Sequence, residues 1–258
     1  MVVRCHNGFV DAIDRAREII AQGSRITVLT GAGISTDAGI PDFRGPQGVW
    51  TKNPKAERMS TLSAYIGDRE VRELAWQSRM RSPVWEAQPT RGHHALVELE
   101  RVGVLRCLVT QNIDGLHGRA GQRELAEIHG NARLVRCIEC LSRWPREEIP
   151  TETLPPLCGR CGGILKADTV SFGEPIPADV LRRSLQEAER ADCIVVAGTS
   201  ATVYPAASLP HSVLGRRGVV IEVNPHASEL SELATFALRG PAGEILPRLV
   251  QAVKARQR

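Results

Sequence analysis

Apolar and polar positions along the chain recur with two different periods. Over residues 9–21 (FVDAIDRAREIIA), Phe9, Ile13, Ala16, Ile19 and Ile20 return at helical spacing and Gly23 closes the run, which predicts an amphipathic helix. Residues 25–30 (RITVLT) form a short β-branched run that breaks into Gly31-Ala32-Gly33. That pattern predicts a buried strand, a glycine turn and then a new helix. The same grammar returns without any sequence repeat. A strand at 105–110 follows a helical stretch at 90–102, a strand at 193–198 follows one at 178–190, and residues 219–223 add a further strand. Apolar strands alternating with helices predict an α/β fold, a doubly wound parallel sheet of Rossmann type covered on both faces.

Other stretches lack these periods. Residues 137–165 are rich in Cys, Gly and Pro and predict a small appended module. Residues 51–63 read as a loop leading to a helix at 68–80, and 240–253 as a closing turn and terminal helix. The expected division is a larger domain from 1–45, 82–130 and 166–258, with a small domain from 46–81 and 131–165.

Composition removes several function classes. The 258 residues carry a net charge of +4 and 4% aromatics, too diffuse a charge for nucleic-acid binding and too few rings for a base-stacking platform. Residues 1–10 hold no apolar stretch of signal-peptide length and the longest apolar runs are strand-sized, so no membrane span is expected. Seven cysteines without a secretion signal predict a reducing compartment, the cytoplasm, where thiols bind metal or do chemistry.

Four of those cysteines form two close pairs, Cys137-x2-Cys140 and Cys158-x2-Cys161, with 17 residues between. Such spacing delivers four thiolates to a tetrahedron, and four protein ligands leave no open position, so one structural zinc ion is expected. Cys107 and Cys193 fall in predicted strands and read as small core residues. Cys5 has no partner at useful spacing.

The segment TGAGISTDAGIPDFRG (residues 30–45) places glycines directly after a strand, where backbone amides and a helix N-terminus suit a pyrophosphate. It is not the G-x-G-x-x-G fingerprint, because Thr36 occupies the third glycine position. Asp42, Phe43 and Arg44 follow closely, with Arg44 suited to pair a phosphate and Phe43 to cover a reactive ring face. TQNIDGLH (110–117) sets Gln111, Asn112 and Asp114 beyond another strand, where open α/β sheets bind ligands. Gly198, Thr199, Ser200 and Asn224 follow two more strands in the same way, pointing to one crevice. Of seven histidines, His129 and His117 lead, because they flank the polar loop and the cysteine module.

These residues resemble the sirtuin family of NAD-dependent protein deacylases over about residues 26–249. The carrying motifs are GAGISTDAGIPDFRG (31–45), TQNIDGLH (110–117), EIHGN (127–131), the four cysteines, FGEPIP (172–177), GTSATVYPAA (198–207) and EVNP (222–225). The resemblance implies an NAD-binding domain and a zinc-carrying small domain, with an acyl-lysine peptide in the cleft between them. It implies NAD contacts from Gly31, Ala32, Gly33, Ile34, Ser35, Asp42, Phe43, Arg44, Gln111, Asn112, Ile113, Asp114, Gly198, Thr199, Ser200, Asn224 and Ala242. It makes His129 the base that deprotonates a ribose hydroxyl, with Asn112 and Asp114 beside it. Products would be free lysine, nicotinamide and O-acyl-ADP-ribose.

The substrate-side expectations are Val170, Phe172, Gly173 and Glu174, with residues 170–174 pairing a peptide as an added strand. Where acid-acyl sirtuins carry Tyr-x-x-Arg, this chain has Trp76-x-x-Arg79. Arg79 would either pair an acyl carboxylate or lie on a solvated helix face. The expected partners are acyl-lysine proteins or peptides, the enzyme acting as a monomer, with acetyl as the default acyl group. Two other readings use the same features: a protein mono-ADP-ribosyltransferase, and a non-catalytic NAD-sensing module, which would have no need of a base.

Overall fold

A computed structural model describes residues 8–22, 25–42, 48 and 58–255. The elements are α1 (Gly8–Gln22), β1 (Ile26–Thr30), α2 (Leu62–Gly67), α3 (Arg69–Met80), α4 (Arg91–Arg101), β2 (Leu105–Thr110) and α5 (Leu116–Ala120). Then come β3 (Leu125–Glu127), β4 (Gly130–Cys137), β5 (Arg143–Pro145), β6 (Leu165–Thr169), α6 (Ala178–Arg190), β7 (Cys193–Ala197), α7 (Ser208–Gly215), β8 (Val219–Val223), β9 (Phe236–Leu238) and α8 (Ala242–Ala255).

Six strands form a sheet in the order β3-β2-β1-β7-β8-β9, and every neighbouring pair is parallel. All five residues of β1 and of β7 are buried, as strands covered on both faces must be. One covering core joins Ile13, Ala16 and Ile20 of α1 to Leu96 and Leu99 of α4 and Leu246 of α8. The opposite core gathers Ala188 of α6 and Leu209 and Val213 of α7 under Val196 and Val220. The doubly wound arrangement read from the periodicity is therefore present. Cys107 and Cys193 are buried in it, their thiols pushed up by burial to about 11 and about 12.

The chain leaves β1 toward β2 on one side and returns to β7 on the other, so the sheet reverses direction of growth between β1 and β7. Ligands bind outside the carboxyl ends of strands at such a reversal. The backbone there differs from expectation: within the described residues 31–42, two 3-10 turns, at Ala32–Ile34 and Thr36–Ala38, follow β1 in place of an α-helix.

A second, antiparallel sheet runs β5-β4-β6. Because β6 pairs with β4, residues 165–169 belong to this small sheet, and the boundary expected at 165/166 falls at the start of a strand. Trp76 of α3 packs with Val135, Cys137, Cys158 and Leu165, and the Tyr65 hydroxyl of α2 donates to the Leu165 carbonyl at 2.8 Å. Helices and small sheet thus share one core. Among the described residues no helix is long and apolar enough to cross a membrane.

Candidate active site

The ends of β1, β2, β7 and β8 are stitched into one polar network. Asn112 Nδ2 donates to the Gly31 carbonyl at 3.1 Å and to Ser35 Oγ at 3.2 Å, and Ser35 Oγ donates to Asp114 Oδ2 at 2.7 Å. The Leu116 amide takes the other Asp114 oxygen at 2.8 Å. Both oxygens of this buried carboxylate are therefore satisfied by the protein, and Asp114 orients Ser35 and Asn112. On the neighbouring strand ends, Gln111 Nε2 donates to Thr199 Oγ1 at 2.9 Å and Asn224 Nδ2 to the Thr199 carbonyl at 3.0 Å. Ser200 is exposed beside them.

The glycines do something other than expected. The Gly31 amide donates to Ala197 O at 3.0 Å and the Gly33 amide to Gly198 O at 2.8 Å, so neither is held out for a phosphate. A Cβ on Gly31 would stand 2.7 Å from Thr199 Cβ, and one on Gly33 2.7 Å from Gly198 Cα. Their absent side chains let the ends of β1 and β7 touch at the reversal. The Ile34 side chain belongs to the main core. Ala242, 2% exposed, belongs to the main core, with its carbonyl close to Gly92. Ala32 and Ile113 are partly exposed beside this network and Asp42 ends the described part of the turn. Phe43 and Arg44 lie outside the described residues.

The two leading histidines separate. His117 is 1% exposed; its Nε2 lies 2.9 Å from Thr30 Oγ1, which donates to Thr110 Oγ1 at 2.8 Å, which accepts from the Asn112 amide at 3.1 Å. Its ring centroid sits 4.6 Å from that of buried His93. Burial pushes His93 down to about 4 and His117 well below the usual imidazole range. This pair supports the site from behind, and no surface spacing distinguished it from His129. Thr30 and Thr110 completed that chain unnoticed, since a threonine ending a strand looks like any β-branched residue.

His129, partly exposed, follows β3 and leads into β4. Its Nδ1 lies 3.1 Å from the Gln111 carbonyl. A carbonyl can only accept, so Nδ1 carries the proton and Nε2 keeps its lone pair. Burial lowers the pKa and the Gln111 contact partly restores it, leaving the ring neutral and basic at pH 7. The geometry is that of a general base.

On the substrate side, the Val170 amide donates to the His129 carbonyl at 2.8 Å, the Phe172 amide to Ser60 O at 2.8 Å and the Ser171 amide to Glu174 Oε2 at 2.9 Å. With the Glu174 amide on Ser171 O and the Leu62 amide on Phe172 O, both at 3.0 Å, four of the amides and two of the carbonyls expected to pair a peptide are already engaged. Phe172 is exposed and Gly173 has φ +79°. The Glu174 carboxylate turns inward rather than toward a peptide. Trp76 is 1% exposed and belongs to the small core, which corrects its reading as a direct substrate contact. Arg79 is half-buried and bonds to the carbonyls of Ala132 and Leu134, the latter at 3.0 Å. That excludes the solvated-face alternative. Its guanidinium stacks on Trp76 and Trp85 at 5.3 and 5.7 Å, and burial and Arg146 hold its pKa down at about 10.

The Sγ atoms of Cys137, Cys140, Cys158 and Cys161 all lie within 4.8 Å of one another. Cys137 and Cys161 stand 3.5 Å apart and Cys140 and Cys158 3.7 Å. Thiolates about 2.3 Å from a zinc ion stand roughly 3.8 Å apart at the corners of a tetrahedron, so the four residues fit one structural ion.

A doubly wound sheet with polar strand ends at its reversal point defines a dinucleotide-binding protein, here with a cysteine-based metal module. The Sir2 family profile matches residues 31–205. The chain is 44% identical over 241 residues, 93% of this chain and 98% of the relative, to an Archaeoglobus fulgidus protein named NAD-dependent protein deacylase 1. It is 37% identical over 246 residues, 95% of this chain and 96% of the relative, to a Pyrobaculum aerophilum protein named NAD-dependent protein deacetylase 1. A crystal structure of a Sir2 homologue in complex with NAD superimposes with a TM-score of 0.85 at 43% identity, covering 95% of each chain. A Sir2 protein with a deacetylated p53 peptide and 3′-O-acetyl-ADP-ribose superimposes with a TM-score of 0.86 at 30% identity, covering 93% of this chain and 97% of that one. The chain belongs to the Sir2 family.

Proposed function

We infer that the protein is an NAD-dependent protein-lysine deacylase, transferring the acyl group, acetyl by default, from a peptide lysine to ADP-ribose with release of nicotinamide. The observation that carries this reading is the neutral His129, its Nδ1 held by the Gln111 carbonyl and its Nε2 available, beside the Ser35, Asn112 and Asp114 network. Bound NAD supplies a ribosyl carbon made electrophilic as nicotinamide departs. Asn112 and Ser35 present polar groups, rigidly held by Asp114, to the nicotinamide end, and Thr199, Ser200 and Asn224 serve the adenosine end. His129 Nε2 takes the proton of a ribose hydroxyl so that the hydroxyl oxygen can attack the acyl carbon. The cysteine module holds β4 in place, and a closed four-thiolate shell supplies no reaction chemistry. A metal site built of four thiolates suits a reducing compartment, and the cytoplasm is the setting this reading favours.

A nicotinamide-release assay with acetyl-, succinyl- and myristoyl-lysine forms of one peptide tests this. Wild type turns over at least one and His129→Ala none. Label transfer from NAD to protein that survives His129→Ala would instead put ADP-ribosyl transfer first.

Arg79 adds a reading of the acyl group. Its Nε and Nη1 are buried without a hydrogen-bond partner among the described residues, which suits a carboxylate-ended acyl chain. Selective loss of the succinyl reaction in Arg79→Met is the expected result, and equal loss for all acyl groups would reduce Arg79 to a packing residue.

A further inference from the structure

On β4 and β6, Arg136 and Lys166 stand directly opposite in the antiparallel register, one residue from the opposed pair Cys137 and Leu165. Two cations facing each other on a small sheet repel, and Lys166 is almost wholly buried, its side chain 3% exposed. Two acids neutralise them, Asp168 from β6 itself and Glu174 from outside the sheet. Glu174, its side chain 7% exposed, receives Lys166 Nζ at 3.0 Å, a guanidinium nitrogen of Arg136, and the Ser171 amide at 2.9 Å. Asp168 completes the cluster, at 3.4 Å from Arg136 Nε and 2.7 Å from Arg143 Nε. All three strands of the small sheet thus send a charge to one cluster, and one of its two acids, Glu174, belongs to the 170–174 segment. The Val170 amide of that segment bonds to the His129 carbonyl.

We propose that Glu174 is a positioning residue for the acyl-lysine peptide: its buried pairing with Lys166 and Arg136 fixes segment 170–174 and, through Val170, the His129 loop onto the cysteine-module sheet. The inference rests on the deacylase reading. It gives the module a route to the active site: Cys137 is adjacent in sequence to Arg136, so a metal ion that holds Cys137 also holds the cation that Glu174 needs. Loss of the carboxylate frees the segment that meets the peptide and leaves the strand-end network that meets NAD intact.

The test measures KM for peptide and for NAD separately in Lys166→Met/Glu174→Gln, with melting temperature and zinc content alongside. Removing both members of a buried ion pair together spares the fold the unpaired charge that a single change would leave. Glu174→Asp, which keeps the charge and shortens its reach, is the second variant. The expected result is a roughly 10- to 100-fold loss in kcat/KM for peptide, the scale of a misplaced positioning element, with KM for NAD within about twofold of wild type and zinc retained. The same direction, smaller, is expected of Glu174→Asp. Unchanged peptide KM in a zinc-loaded variant overturns the proposal, and so does an equal rise of both KM values. Failure of wild type to turn over any acyl peptide would count against the deacylase reading instead.

Discussion

Acidification should unfold this protein through its two buried histidines, by an amount that the structure allows to be worked out. His93 has an ordinary pKa of 6.5 that burial, with His94 nearby, lowers to about 4 in the folded state. His117, buried beside it, is also lowered well below the ordinary value, by burial and by His93. A histidine whose folded pKa is depressed stays neutral in the native state while the unfolded chain takes up the proton. Stability is therefore complete above about pH 6.5 and declines as the pH falls from there toward the folded value. A histidine that titrates only in the unfolded state contributes a slope of about 1.4 kcal/mol per pH unit, so His93 alone costs about 2.5 kcal/mol at pH 4.5, a large share of the stability of many domains, and His117 adds to it in the same direction. Guanidinium unfolding curves at pH 7.5, 6.5, 5.5 and 4.5 measure this directly. His93→Gln should be less stable at pH 7.5, because Thr90, whose amide and hydroxyl meet the imidazole Nδ1 and whose hydroxyl also donates to the Ile34 carbonyl, is anchored around that ring. Between pH 6.5 and 4.5, however, its slope should be shallower than wild type by about one proton. Identical slopes for wild type and variant would refute the argument, since they would mean that His93 titrates alike in the two states.

Three further outcomes are expected. Turnover should decline at acid pH with a midpoint below the ordinary imidazole value, because burial lowers the pKa of His129 and protonation removes the base; a pH profile of kcat with a flat acid limb would contradict this. Gly198→Ala should raise KM for NAD and lower the melting temperature together, because φ is +65° and a Cβ there would lie 2.6 Å from the Ile34 nitrogen and 2.7 Å from the Gly33 carbonyl carbon; an unaltered NAD affinity would show that the β1–β7 contact does not shape the site. Cys158→Ser, or metal removal by a chelator, should loosen the core that Cys158 shares with Trp76, Val135 and Leu165 and abolish turnover although no thiolate faces the strand-end crevice; full activity in metal-free protein is the contrary result.

Much of the architecture was legible locally. Four strands of the large sheet follow from β-branched runs of five or six residues bounded by turns, and α6 was marked out by a polar–apolar period that the burial of Ser184 and Ala188 matches. The cysteine set follows from spacing alone, since C-x2-C brings two sulfurs to one knuckle wherever it occurs. The three-residue strands β3 and β9 were not legible, because so short a segment carries no period and is made a strand by its neighbour's edge.

The sequence by itself determined the order of the elements, the metal-binding set and the polar residues at strand ends, because periodicity and spacing are properties of neighbours along the chain. Only the tertiary structure decided what those residues face. Ser35 meets Asp114 across 79 positions, Thr30 meets His117 across 87, and Arg79 meets the carbonyl of Leu134 across 55. Such meetings separate His129, available as a base, from His117, sealed in the core. They turn Glu174 from the peptide toward Lys166, and they assign Gly31 and Gly33 to the contact between two strands. Burial and pairing set the charge state and direction of each of these groups, and both are created only when distant segments pack together.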